Sequence, residues 1–218
     1  MPSQTFFNLT EARRAIVIDA AIAEFANQGY EAASISHIVS QAKIAKGSFY
    51  QYFEDKKDLY LYLVDWALEA RNAFIARATL PSIQAGFFAY LRALFQVILE
   101  FQLAHPALTQ ILYRSPYHGD VPFREEVFQR TKAGSIEFMR RCVQEGIAQG
   151  DLAPDINPDV AAFTIVTLGS ELRRFIPAYL GIKVNPLVKD DANIDREAIG
   201  KILDDFVHVL ERGIGSHQ

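Results

Sequence analysis

The chain has 218 residues, half of them hydrophobic, a formal net charge of −4 and a single cysteine, Cys142. That composition supplies a substantial core, either one large domain or a small domain fused to a larger one, and one cysteine excludes an internal disulfide framework. With no basic-then-apolar leader and no uninterrupted apolar run near the ~20 residues that span a bilayer, the expectation is a cytoplasmic protein without a membrane partner.

No stretch alternates β-branched and polar residues between hairpin turns, so the expected class is all-α. Thr10 is placed to cap a first helix, with Glu11 near the positive end of its dipole. Val17, Ile18, Ala21, Ile22 and Phe25 then form one apolar stripe, and Gly29 supplies the stop. Ser34 caps a short second helix that buries Ile35, Ile38, Val39 and Ala42. A third short helix is predicted over Ala45 to Tyr52. Asp55 caps a fourth, with a stripe of Leu59, Leu63, Trp66 and Ala70 running toward Thr79, and Pro81 marks the break.

Further on, helices are predicted over Ser82 to Ala104, after Pro106, and in one long run over Phe123 to Gln149, with a loop over Ser115 to Pro122. Asn157 followed by Pro158 is a start signal, because Asn caps and Pro at the first helical position loses no useful hydrogen bond. That helix reaches toward Pro177. Gly181 to Asn193 reads as a surface loop, and a last amphipathic helix covers Asp195 to Arg212.

Two short helices joined by a turn and preceded by a longer one have the spacing of a helix-turn-helix unit. The residue types on the second short helix sharpen this. Phe49 and Phe53, four apart, anchor it, while Lys46, Ser48, Tyr50 and Tyr52 offer cationic, hydroxyl and phenolic groups to phosphates and base edges. Gly47 removes bulk where a backbone would approach DNA. The net acidity of the chain opposes nucleic-acid binding, but between Lys43 and Lys57 four lysines stand against Glu54 and Asp55 alone.

Over residues 10 to 60 the chain resembles the TetR/AcrR family of transcriptional regulators. The family pattern is met by Ala20, Ala21 and Phe25; Gly29 and Tyr30; Ser34; Ile38 and Val39; Lys46, Gly47, Ser48, Tyr50, Tyr52 and Phe53; and Lys56 with Leu59. Two departures lie in the turn, where the usual Gly-Val-Ser is Lys43-Ile44-Ala45: either Lys43 takes the left-handed conformation at some cost or the turn differs slightly, and Ala45 offers no hydroxyl cap.

The resemblance implies a DNA-binding headpiece over 10–70, with its helix-turn-helix at about 33–52, and a ligand-binding and dimerisation domain over 71–218. It implies a homodimer on a palindromic double-stranded operator, repressing until a small, largely hydrophobic effector releases it. The DNA-binding residues it implies are Ser34, Ser36, Lys46, Gly47, Ser48, Tyr50, Tyr52 and Lys56, with His37 a weaker candidate. The aromatic-rich remainder suggests an effector pocket drawn from Trp66, Phe95, Tyr113, Phe128, Phe163 and Arg173. The family's dimer interface falls on Phe163, Leu172, Phe175, Ile199, Phe206 and Leu210 of the last two helices.

The competing readings are a helical interaction or scaffold protein without DNA binding and an enzyme. Against the second, the chain has no phosphate-binding glycine loop, nucleophile elbow or metal-ligand spacing, so no cofactor and no metal are expected. Cys142, preceded by Arg140 and Arg141, reads as packing rather than a redox sensor.

Overall fold

The structure is a computed structural model in which residues 1–117, 121–181 and 195–215 are described, and these contain helices and no strand. The chain divides into two compact units. The first comprises Met1–Ala70 with His105–Thr131; the second comprises Arg71–Ala104 with the described residues from Lys132 onward.

In the first unit, Thr10 caps α2 (Glu11–Ala32) by accepting the Arg13 N–H, and Gly29 breaks its backbone at φ 75. α3 (Ile35–Gln41), α4 (Lys46–Tyr52) and the start of α5 (Lys56–Arg77) follow, the last capped by Asp55, whose carboxylate accepts the Asp58 N–H at 2.7 Å. Val17, Ile18, Ala21, Phe25, Ile38, Val39, Phe49, Phe53, Leu59 and Leu63 form the core. Trp66 is not on that buried stripe. It is exposed, and Val64 and Ala67 take the inward positions of α5.

A short α1 (Gln4–Phe7), which the sequence pattern does not reveal, precedes all of this and buries Phe6 completely. Two later helices join the same unit. α7 (Pro106–Tyr117) packs along α2, and the Tyr60 hydroxyl donates to the Ile111 carbonyl at 3.4 Å. α7 continues through Ser115, Pro116 and Tyr117, which were expected in a loop; of the remaining loop positions Val121 and Pro122 are not helical, and 118–120 lie outside the described residues. α8 (Arg124–Phe128) is tied to α5, with Lys57 pairing to Glu126 at 2.8 Å and Arg130 to Asp65. Phe123 packs edge-on to Tyr30 at 4.8 Å.

The long helix predicted over Phe123 to Gln149 is therefore interrupted. Gln129–Ala133 form a π turn, in which the Thr131 hydroxyl donates back to the Val127 carbonyl at 2.8 Å, and α9 (Gly134–Gln149) begins at a glycine. Ser82 likewise caps a 3-10 turn, Ile83–Ala85, and α6 (Phe87–Ala104) starts only after Gly86 at φ 139.

In the second unit, α10 (Pro158–Tyr179) packs along α9, and both meet α6, which also contacts α11 (Arg196–Ile214). The expected caps form: Asn157 accepts the Asp159 and Val160 N–H groups at 2.9 and 3.2 Å, Asp195 accepts that of Ala198 at 2.9 Å, and Gly150 stops α9 at φ 85. Pro177 does not end α10, which runs two residues further because a proline near the end forfeits only one ladder bond. The loop expected at Gly181 to Asn193 lies, from 182 on, outside the described residues.

α6 is long and apolar enough to cross a bilayer by length and composition, yet Phe87, Leu91, Leu94, Phe95 and Phe101 are buried in this unit and Arg92 pairs with Asp204 of α11. It is a core helix. It meets α10 at Gly169, where an added Cβ would stand 2.4 Å from Cε1 of Phe95. The Phe95 ring cannot yield freely, since it is buried and packs edge-on to Phe206 at 5.4 Å. Gly169→Ala gains about 1 kcal/mol of helix propensity but overpacks the core by roughly 1–3 kcal/mol, for a net loss of up to about 2 kcal/mol. A lower urea midpoint would show it. The double variant with Phe95→Leu should lose less than the sum of the two single changes.

Candidate nucleic-acid interface

α4 presents one face inward and the other to solvent. Phe49 and Phe53 are buried, while Lys46, Gly47, Tyr50 and Gln51 are exposed and Ser48 is half-buried. Ala45 caps nothing, and Lys43 stands at φ 52, so the glycine-free turn takes the left-handed residue that its geometry requires. Lys43 and Lys46 are exposed and make no ion pair among the described residues, one in the turn and one at the uncapped start of the helix. An alanine Cβ at Gly47 would find no atom within 4 Å. The protein's own packing therefore gives no reason for a glycine, which in a helix interior costs about 0.5–1 kcal/mol relative to alanine.

α3 supplies the second part. Ser34, Ser36, His37 and Ser40 are exposed. The N-terminus of α3 is held from behind by Glu24, a buried carboxylate on α2 that accepts the Ser34 N–H at 2.8 Å and pairs with His37 Nδ1. His37 Nε2 in turn faces Gln41 Nε2 at 3.3 Å. His37, considered as a DNA contact, is thus engaged inside the unit. Glu24 escapes a reading by residue type alone, although its place between Ala21 and Phe25, on the apolar stripe of α2, is a signal for it.

Two of the expected contacts occupy other surroundings. The Lys56 ammonium donates to the carbonyls of Glu31 and Ala33 at 3.0 and 3.2 Å and lies 4.7 Å over the Tyr30 ring. It neutralises the carbonyl-rich end of α2 and fixes α5 against it, a structural task rather than an outward reach. Tyr52 is half-buried, its ring 5.9 Å from that of Phe6.

The expected pocket residues do not share one environment. In the first unit Trp66 is exposed, Tyr113 buried and Phe128 half-buried; in the second, Phe95 fills the core beside Gly169, Phe163 is exposed and Arg173 is half-buried. None of the six lines the groove of about 730 Å³ that opens in the second unit between α6, α11 and the end of α5. Its apolar walls are Phe74, Leu99, Leu103 and Leu203, and its charges include Arg92, Arg196, Glu100 and Asp204.

The expected dimer residues divide as well. Phe163 and Phe175 are exposed and Phe206 is half-buried, but Leu172, Ile199 and Leu210 point into the protomer's own core. Cys142 is also buried; burial pushes its thiol up, Arg141 opposing only in part, and the Tyr90 hydroxyl beside it is pushed up to about 12. A protonated, enclosed thiol is inert packing.

Residues 17–63 match the family described as bacterial regulatory proteins, tetR family, and residues 85–215 match the tetracyclin repressor-like C-terminal domain. A TetR family transcriptional regulator from Chloroflexus aurantiacus has a similar structure, with a TM-score of 0.81 and 39% identity over 100% of both chains. The uncharacterized HTH-type transcriptional regulator YhgD of Bacillus subtilis is 24% identical over 195 residues, 89% of this chain and 94% of that protein. The probable acrEF/envCD operon repressor of Escherichia coli is 26% identical over 153 residues, 68% and 69% of the respective chains. The C-terminal match alone spans more than half of the chain, and with the helix-turn-helix geometry of α3 and α4 it places the protein in the TetR family of DNA-binding transcriptional regulators.

Proposed function

We propose that α4 is the recognition helix of a repressor, lying in the major groove of a palindromic operator while Ser34 and Ser36 at the start of α3 meet the flanking phosphates. The observation that carries this reading is the start of α4, where exposed Lys43 in the turn and exposed Lys46 on the helix precede a glycine that the protein's own packing does not require. Cations without an internal partner lower the electrostatic cost of approaching phosphate, a missing Cβ lets backbone approach backbone, and Ser48 and Tyr50 lie one and three residues beyond that point to reach base edges. Lys56 is left out of this set because its ammonium is already bonded.

Two copies pair through the exposed face of α10, and the protein acts in the cytoplasm. A small amphipathic effector, largely hydrophobic, releases the operator. The groove of about 730 Å³ in the second unit has the size of a small-molecule site and mixes apolar walls with six charged residues. One continuous helix, α5, has Lys56 at its start and Phe74 in the groove wall, which gives an effector a mechanical route to the headpiece. Any such coupling is reciprocal, so operator DNA weakens the effector by the factor with which the effector weakens DNA.

Binding of wild type, Lys46→Ala and Tyr50→Ala to operator and random DNA, each measured across salt concentrations, tests the reading. Lys46→Ala should weaken both DNAs and flatten the log–log salt slope by about 2 per dimer, one phosphate per half-site. Tyr50→Ala should weaken operator by roughly 5- to 100-fold and random DNA far less. Unchanged binding in both variants would leave a helical interaction protein as the better description.

A further inference from the structure

α4 has seven residues and no side-chain cap at its start. Two turns of helix are marginal by themselves, so the pose of this element is set by what grips it. Phe49 and Phe53 hold its inner face. Its last carbonyls, which no intrahelical N–H can reach, are the remaining point of control.

Those carbonyls are bound by the first residues of the chain. The Ser3 N–H donates to the Tyr52 carbonyl at 2.8 Å and the Ser3 hydroxyl donates to that of Gln51. One residue therefore satisfies two orphan acceptors at the end of α4, from 48 positions away in sequence. Three residues on, the fully buried ring of Phe6 lies 4.9 Å from Phe53, 5.9 Å from Tyr52 and 5.7 Å from Tyr62 of α5. The far end of the segment is fastened to α2, where Arg14 donates to the carbonyls of Phe7 and Leu9 at 2.7 Å each. Residues 3–9 thus run as a strap from α2 across to the C-terminal turn of α4, and the family match begins only at residue 17.

We propose that this strap belongs to the DNA-reading apparatus, with Ser3 and Phe6 as positioning residues that set the tilt and depth of α4 through Gln51 and Tyr52. Neither touches DNA. They act because the exposed side chains of α4 reach base edges only when the helix lies at one angle, and a two-turn helix released at one end pivots about its Phe49 anchor. Random DNA, bound through phosphates, tolerates the pivot; operator does not. The proposal rests on α4 being the recognition helix.

The test compares full-length Ser3→Ala, Phe6→Ala and Phe6→Leu with wild type and with Tyr50→Ala, reading affinity for operator and for random DNA together with melting temperature and dimer mass. Phe6→Ala should lower operator affinity about 10-fold and random-DNA affinity less than about 2-fold, a fall in the specificity ratio that lost folding alone does not produce. Phe6→Leu, which refills most of the site, should recover much of the ratio. Ser3→Ala removes only the hydroxyl contact and keeps the backbone bond, so it should move the ratio in the same direction by a smaller factor. Should Phe6→Ala fail to fold, Ser3→Ala decides. An unchanged ratio in folded Ser3→Ala and Phe6→Ala, with Tyr50→Ala still selective against operator, overturns the strap and leaves the recognition helix standing. An unchanged ratio in all of them, Tyr50→Ala included, overturns both.

Discussion

Replacing Phe163 and Phe175 together by aspartate should turn the protein into a monomer and lower its operator affinity by more than about 100-fold, because a monomer forfeits the effective concentration that the second half-site supplies. The exposed apolar residues of α10 motivate this: Val160 is 61% exposed, Phe163 53%, Leu168 44%, Phe175 50% and Tyr179 69%, and Val209 of α11 adds 70%. At 100° per residue those α10 positions fall within less than half of the helix circumference, so they form one face and not a scatter. Exposed Phe on such a face is the mark of an association surface, and a two-fold pairing of this patch with itself would cover it. Two carboxylates brought together with their symmetry mates would have to be desolvated without partners. Since neither phenylalanine contributes to the buried core, the melting of the monomer should change little beyond the lost association. Leu210→Asp makes the contrast: that side chain is buried, and its variant should unfold the second unit instead. Sedimentation of wild type and both variants separates the cases, and a wild-type chain that is monomeric at micromolar concentration would end the argument.

The proposed dimer face also shows where sequence reading stops. The apolar positions of α10 read as a single stripe, Val160 through Phe175, because periodicity reports that a residue is apolar and recurrent, not which of two neighbours it meets. The helix is apolar on two sides. Leu172 and Ile176 turn toward α9 and the core while Phe163 and Phe175 turn away, and only the placement of α9 tells them apart. The same limit applies to the aromatic residues expected in an effector pocket. Phe95 has the composition of a pocket wall but is used up in the notch at Gly169, and that notch exists only because α6 and α10 cross there.

The headpiece was far more legible. Its caps at Thr10, Ser34 and Asp55, its stop at Gly29 and its anchors Phe49 and Phe53 all act locally, within three or four residues, where pattern and physics coincide. What escaped there was long-range. α1 is too short for any periodicity, and Ser3 and Phe6 matter through partners some fifty residues away. Lys56 was legible as a matched position but not as a lysine already bonded to the end of α2.

Gly47→Ala should move stability and DNA binding in opposite directions. The methyl group meets no atom within 4 Å, and the backbone there is helical, so alanine is accommodated without strain. Replacing glycine in a helix by alanine narrows the unfolded ensemble and raises helix propensity, and the headpiece should become more stable by about 0.5–1 kcal/mol. If the glycine served only the fold, this gain would be the whole effect. A recognition helix whose first turn lies against a sugar-phosphate chain instead meets the methyl as an intruding atom. Overpacking of roughly 1–3 kcal/mol at each of two half-sites then lowers operator affinity by 10-fold at the least. Chemical denaturation of the free protein reads the first quantity and titration of operator DNA the second. A variant that melts higher and still binds operator as wild type does would mean that the backbone at residue 47 stays clear of DNA, and would move the contact surface of α4 toward Tyr50 and Gln51. A variant that melts higher and binds at least 10-fold more weakly would leave close approach to DNA as the reason for a glycine at this position, because the protein alone is better off without it.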